Sequence, residues 1–220
     1  YLSAPPKLSM AEQHLLIFTR WPEPGKTKTR LIPALGPGGA AQLQQQLTEH
    51  TVHIANIFRQ QTLIKSQVTI FYTGGPEHQM KQWLGNDLTY QSQSSGDLGD
   101  RLQKSCQWAL GQGSQKVVII GIDCPGVTPE LLQTAFTALD NCSVVLGPAL
   151  DGGYYLIGLT RFNPAYFEQI DWGTERVYQQ TLAKIVQNGD RPYNLPALPD
   201  IDHPTDLQYL PTAFTNTAPT

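Results

Sequence analysis

Cysteine is scarce in this chain of 220 residues: Cys106, Cys124 and Cys142 are all it has. Thiols so few and so scattered exclude a disulfide framework and lack the paired spacing of a zinc site. Cys124 has no histidine partner nearby, so a buried structural thiol is expected rather than a nucleophile. His14, His50, His53, His78 and His203 show neither ligand spacing nor a triad partner, and His50 and His53 are expected to be packed or exposed on their helix. Long apolar runs are missing as well. No window approaches the roughly 18 uninterrupted apolar residues that a membrane span requires. Excess basic charge is absent: 15 Lys and Arg stand against 18 Asp and Glu, a net charge of −3, which argues against a surface that coats nucleic acid. The first ten residues, YLSAPPKLSM, lack the basic-then-apolar order of a signal peptide. Residues 1–12 are therefore expected to be a disordered extension or a cloning remnant, with Met10 the natural start. Residues 212–220 are expected to be a flexible tail, and the protein to be cytoplasmic. No repeat of solenoid length is present.

What is present is a globular composition, 40% hydrophobic and 9% aromatic, in a length suited to one α/β domain over residues 13–211. Buried-strand and helix patterns alternate. Leu15–Thr19, Val68–Tyr72, Leu88–Gln91, Val117–Ile120, Ser143–Gly147 and Tyr154–Leu159 read as strands. Gly38–Gln61 carries Leu43, Leu47, His50 and Ile54 on one helical stripe. Further helices are expected over Pro76–Leu84, from Asp97 to Leu110 behind an Asp97/Asp100 capping box, over Pro129–Leu139 behind Thr128, and over Thr174–Asn188. This order predicts one doubly wound, mostly parallel sheet in an α/β/α sandwich. Tyr154–Leu159 follows its predecessor too closely for a helical crossover, so it is expected to run antiparallel or lie outside that order.

Chemistry concentrates just past the strands. Lys116–Pro125, KVVIIGIDCP, ends a doubly buried strand on Asp123, at the rim where open α/β sheets bind ligands. A helix cap is already supplied by Thr128 with Pro129 behind it, so Asp123 reads as a carboxylate facing a ligand. After the first strand, Thr19–Leu31 (TRWPEPGKTKTRL) gathers Arg20, Lys26, Lys28 and Arg30 around a single acid, Glu23, a composition suited to a polyphosphate. Gly25-Lys26-Thr27 imitates the end of a P-loop, but Arg20 stands where that motif needs glycine, and Pro22 and Pro24 remove amide donors. Any phosphate bound here would be held by side-chain charge.

Pro148–Gly153 (PALDGG) puts Asp151 at another strand end, beside either an ordinary hairpin turn or a close approach of ligand to glycine backbone. Tyr154-Tyr155 adds stacking surface there. Asp200, Asp202 and Asp206 crowd into DIDHPTDL, where a divalent cation or basic partner would relieve their repulsion. Ser94–Arg101 (SSGDLGDR) reads first as a helix cap, with anion contact through Asp97 and Gly99 a second use. Trp172-Gly173-Thr174 combines a core or acceptor-facing Trp with a cap. Asp123-Cys124-Pro125-Gly126 lacks the DxD spacing of aspartyl-phosphate phosphatases, which ranks hydrolysis last.

Taken together, PGKTKTRL, GDLGDR, GIDCPGVTPELL, VVLGPALDGGYYLIGL, WGTERV and DIDHPTDL resemble, in order and over about Leu15 to Leu210, a bacterial family of glycosyltransferase-like proteins long catalogued as a domain of unknown function. Some of its members are named arsenosugar-biosynthesis glycosyltransferases. The family is similar to the nucleotide-diphospho-sugar transferase superfamily with the GT-A type of α/β/α fold, which also contains nucleotidyltransferases. The resemblance implies that Asp123 binds a metal–diphosphate, that Asp202 is the second metal carboxylate, and that the basic loop holds donor phosphate. His203 stands where a threonine or similar small residue is expected, and of the nucleotidyltransferases' glycine-rich GGxGTRMG loop only Thr29-Arg30-Leu31 remains.

The expected protein is a transferase dependent on Mg²⁺ or Mn²⁺, held by Asp123 and Asp202, and acting on a nucleotide sugar or other nucleotide and a small-molecule acceptor. Arg20, Lys26, Lys28, Arg30, Asp97 and Gly99 are the nucleotide- and phosphate-binding candidates. Asp151 is the candidate for orienting or deprotonating the acceptor, with Asp123 beside it, and Tyr154 and Trp172 shape the acceptor pocket. Glycosyl transfer follows from the resemblance; the residues alone leave nucleotidyl transfer from a triphosphate and a catalytically inactive nucleotide-binding protein open.

Overall fold

The structure, a computed structural model, describes residues 12–215. Its sheet is built from β1 (Gln13–Arg20), β2 (Ser66–Thr73), β3 (Thr89–Ser92), β4 (Lys116–Ile120), β5 (Val144–Pro148), β6 (Tyr154–Leu159) and β7 (Tyr193–Asn194), in the order β3-β2-β1-β4-β6-β5-β7. Parallel pairing joins β1 to β2 and β4, β2 to β3, and β5 to β7. Strand β6 alone is antiparallel to both its neighbours, β4 and β5. The cause is the short Ala149–Gly153 link, where Gly153 O accepts from Ala149 N at 3.0 Å and leaves no chain for a crossover. The Tyr154–Leu159 strand is thus antiparallel and inside the sheet.

Successive β1 residues serve opposite faces. Leu15 and Ile17 join Ile70, Val118 and Ile120 against α1 (Ile32–Gln61) and α4 (Pro129–Ala138), where Phe58 and Phe136 stack at 5.2 Å. Leu16 joins Phe71, Val117, Ile119 and Ile157 against α3 (Leu98–Gly111) and α5 (Val177–Gln187). Burial on both faces is what the unbroken apolar strands require, at about 1.5–3 kcal/mol for each large side chain. Helix α2 (Glu77–Leu84) covers the first face through Met80.

Helix boundaries follow their caps. The Asp97/Asp100 box opens α3, with Asp100 N donating to Asp97 Oδ1 at 2.9 Å and Asp97 N to Asp100 Oδ2 at 3.2 Å. Thr128 caps α4 by accepting from Leu131 N at 3.2 Å. Helix α1 begins at Ile32 but breaks at Gly36 (φ +69), so its long segment starts at Pro37, beside the expected Gly38. Helix α5 begins at Val177 instead of Thr174, because the Thr174 hydroxyl donates to Asp171 O and accepts from Arg176 N, folding 171–176 into a turn. The two-residue β7 carries no sequence period and was not anticipated. Residues 1–11 and 216–220, where most of the expected extension and tail falls, lie outside the described residues; within the expected tail, Thr212–Thr215 forms one helical turn. Among the described residues, no helix is long and apolar enough to cross a membrane.

Strand order reverses at β1, which has β2 on one side and β4 on the other. The crevice outside the carboxyl ends of β1 and β4 is the position where such sheets accept ligands.

Candidate active site

Strand β4 leads through Gly121 and buried Ile122 to Asp123, whose side chain is half exposed. The Asp123 carbonyl accepts from Ile201 N at 2.8 Å, which draws the distant segment 200–203 alongside it. Three elements then meet at one lysine. Lys28 has a left-handed backbone (φ 46, ψ 44) and a side chain only 4% exposed. Its Nζ donates to Asp123 Oδ1 and to Ile201 O, both at 2.5 Å. Two residues on, Arg30 Nη1 donates to Asp202 Oδ2 at 2.5 Å. The two carboxylates expected to bind metal are each paired with a cation expected to bind phosphate.

The rest of the basic loop divides. Lys26 pairs with Glu23 at 2.7 Å on the exposed surface, a contact worth little in water. Arg20, at the end of β1, is exposed, and its guanidinium has no partner among the described residues.

Three cavities of about 520, 350 and 370 Å³ adjoin, and Asp123 borders all of them. The first is lined by Asp151, Asp200, Asp202, His203, Tyr154 and Trp172 among others. The second runs beneath Phe18, Gln44, Gln93, Leu98 and Arg101. The third is the basic loop itself, with Arg20, Lys26, Lys28 and Arg30 facing Asp123 and Asp202. Negative charge is concentrated in the first. Burial pushes the Asp200 carboxyl up to about 6, and Asp151, Asp206 and Asp123 add to the rise. The Cys124 thiol is pushed far above its ordinary range, first by burial and then by Asp123, Asp200 and Asp151, so it is an inert core group.

Asp151 both makes a turn and stands at the rim. Its Oδ1 accepts from Gly153 N at 2.7 Å while the side chain borders the first cavity. Gly152 (φ +89) is required by the chain itself: a Cβ there would lie 2.1 Å from Glu175 O. Asp97 and Gly99 border none of the three cavities. Asp97 is occupied as a cap, and Gly99 lies under the Trp172 indole, where a Cβ would come within 2.5 Å of Nε1. From the same turn, Leu98 and Arg101 do reach the cavities. Tyr154 meets Trp172 edge-on at 6.3 Å, and its hydroxyl is buried on the Thr181 side, so its ring is what it offers the cavity. Asp206 serves locally, accepting from Asp202 N at 3.1 Å and His203 N at 2.6 Å.

Sequence reading missed Gln44, Gln93, Leu98 and Arg101 as cavity residues. One usable signal was available: Gln93 follows β3 directly, at the same rim as Asp123 past β4.

Among the described residues, no group of three or more His, Cys, Asp or Glu side chains is arranged to hold a metal ion. Asp123 and Asp202 do open together into the first and third cavities. Two carboxylates fit a Mg²⁺-type ion, which keeps water ligands and takes further oxygens from a substrate phosphate.

The fold and this rim define a protein of the GT-A, nucleotide-diphospho-sugar transferase and nucleotidyltransferase architecture. The family of uncharacterized proteins conserved in bacteria, DUF2064, matches residues 54–174, and the chain belongs to it. A protein from Desulfovibrio desulfuricans G20, described provisionally as a nucleotide-diphospho-sugar transferase, is 34% identical over 95% of this chain and 90% of its own, with a TM-score of 0.85. The fold is shared with CMP:2-keto-3-deoxy-manno-octonic acid synthetase in complex with CTP (12% identity, 94% and 100% covered, TM-score 0.56). It is also shared with Rv0371c from Mycobacterium tuberculosis H37Rv in complex with manganese (13%, 91% and 97%, TM-score 0.51). No curated protein matches the chain.

Proposed function

We propose that this protein is a cytoplasmic glycosyltransferase that moves a sugar from a nucleotide-diphospho-sugar to a small-molecule acceptor. One observation carries the reading: Asp123 stands where a cationic loop, an acidic cavity and a mixed polar–apolar cavity meet. Such a junction suits a diphosphate flanked by a nucleoside on one side and a sugar on the other. The Desulfovibrio relative supports a nucleotide-sugar donor, and the CTP and manganese complexes of proteins with this fold support a nucleotide and a divalent ion as ligands.

Asp123 and Asp202 would hold Mg²⁺ or Mn²⁺, which when bound would neutralise charge on the departing diphosphate. Arg20, already free, and Lys26 face the diphosphate, and Lys28 and Arg30 turn to it from their carboxylates as it enters. The exchange keeps every charge paired, since the carboxylates receive the cation that accompanies the nucleotide. Asp151 orients the acceptor hydroxyl and takes its proton, while Trp172 and the Tyr154 ring enclose the acceptor.

The test is ligand-induced thermal stabilisation by nucleoside mono-, di- and triphosphates and nucleotide sugars, with and without Mg²⁺ or Mn²⁺. Metal-dependent stabilisation by a nucleotide sugar and its diphosphate is expected. A response confined to a triphosphate would replace this reading with nucleotidyl transfer, and no response to any nucleotide would refute both.

A further inference from the structure

The second cavity holds two glutamines whose orientation the backbone fixes. Gln93 donates both amide protons to carbonyls, Thr19 O at 3.1 Å and Phe71 O at 2.9 Å. Gln44 on α1 donates to Thr19 Oγ1 at 3.3 Å and Arg20 O at 3.2 Å. Backbone carbonyls can only accept, so each amide nitrogen faces the strand ends and the Oε1 is the polar atom left over. Among the described residues neither Oε1 has a donor, and neither is a sealed-off buried atom. Both residues border the cavity. Part of the surrounding wall is apolar, from Leu98, Leu102, the Tyr154 ring, and Phe18, whose ring is held against Phe71 at 5.6 Å and 26°; Arg20, Arg101 and Asp123 supply charge around it. The cavity thus offers apolar surface edged by acceptors that cannot turn into donors without breaking strand-end hydrogen bonds.

We propose that Gln93, with Gln44 beside it, selects an amino-bearing nucleobase (cytosine, adenine or guanine) for this cavity, its Oε1 accepting an N–H from the base's amino edge. This rests on the nucleotide-activated donor proposed above. Uracil and thymine present one N–H between two carbonyls, and a carbonyl set against a fixed glutamine oxygen leaves two acceptors facing each other. Sites built around a fixed hydrogen bond reject such analogues strongly.

The experiment is calorimetric titration of the unaltered chain, in Mg²⁺, with CDP, UDP, ADP, GDP and IDP, repeated on Gln93→Leu. CDP is expected to bind about tenfold or more tightly than UDP, and the better of ADP and GDP to exceed IDP similarly. Gln93→Leu is expected to collapse those ratios. Equal affinities across the amino and keto pairs, tighter binding of UDP, or unchanged ratios in a folded Gln93→Leu would overturn the assignment. Binding of every base alike would remove base selection and leave the transferase reading standing. Failure of all five to bind would overturn both.

Discussion

Lys28 offers the sharpest perturbation, because one side chain serves stability and charge balance at once. Its 4% exposed stem ends in contacts at 2.5 Å with Asp123 and Ile201 O, so truncation to alanine removes two charge-assisted hydrogen bonds joining the basic loop, the end of β4 and segment 200–203. Breaking a fully buried pair costs about 3–5 kcal/mol. Asp123 is 50% exposed and water can re-solvate it, which lowers the expected loss for Lys28→Ala to about 2 kcal/mol. The backbone adds a second term of opposite sign. At φ +46 a residue with a Cβ is strained by about 1–2 kcal/mol, whereas glycine is not, although glycine also loosens the unfolded chain by about 0.5–1 kcal/mol. Lys28→Gly is therefore expected to be about 0.5–1 kcal/mol more stable than Lys28→Ala, and both less stable than the parent. Urea unfolding midpoints at unchanged slope measure both differences. A parallel titration separates the charge roles: Lys28→Ala should bind free Mn²⁺ more tightly, since Asp123 has lost its competing cation, and a nucleoside diphosphate more weakly. A Lys28→Ala protein as stable as the parent, or Lys28→Gly less stable than Lys28→Ala, would refute the reasoning.

Four further outcomes are expected. Asp151→Asn should lower turnover about 10²–10⁴-fold with donor affinity nearly unchanged, and full activity would remove Asp151 from the acceptor step. Arg30→Ala should weaken a nucleoside diphosphate far more than the free nucleoside in the same calorimeter, whereas equal losses would place Arg30 outside the phosphate site. Gly99→Ala should displace the Trp172 indole, with which its Cβ would clash at 2.5 Å, and shift tryptophan fluorescence; an unchanged spectrum would count against that packing. His14 is buried between Thr69 Oγ1 (2.8 Å) and Ser114 Oγ (3.2 Å), and burial pulls its imidazole down to about 4 from the usual 6.5. The unfolded chain then binds the proton first, so this contribution is fully present above pH 6.5 and is lost as pH falls toward 4, by about 3 kcal/mol. His14→Gln should flatten urea stability over that window, and an identical pH profile would discard the account.

The strands, the capping box of α3 and the placing of Asp123 at the rim were legible because each is written locally: an apolar run, a four-residue cap, a glycine exit. The antiparallel β6 was legible from the length of one link. Non-local facts were not. Nothing near Lys28 in sequence says that its ammonium will be buried against Asp123, 95 residues away, or that Arg30 will meet Asp202, 172 residues away. Gly99 read first as part of a cap and Gly152 as either a turn or a ligand approach; the structure uses them as room for Trp172 and for the Glu175 carbonyl. Asp200 was legible as one of three crowded carboxylates, but not that burial would raise its carboxyl or that segment 200–203 would return beside Asp123. Gln44 and Gln93 carry no motif; their meaning arises only when α1 and the end of β3 converge on Thr19.

Asp123 is proposed to bind a nucleotide donor through a divalent ion at the junction of the three cavities. The most direct test is calorimetric titration of a panel of nucleotide-diphospho-sugars into the parent chain and Asp123→Ala, with Mn²⁺ and with a chelator. Saturable binding of at least one donor to the parent is expected in Mn²⁺, lost with the chelator and lost in a folded Asp123→Ala. Donor binding that survives both the chelator and the substitution would contradict it.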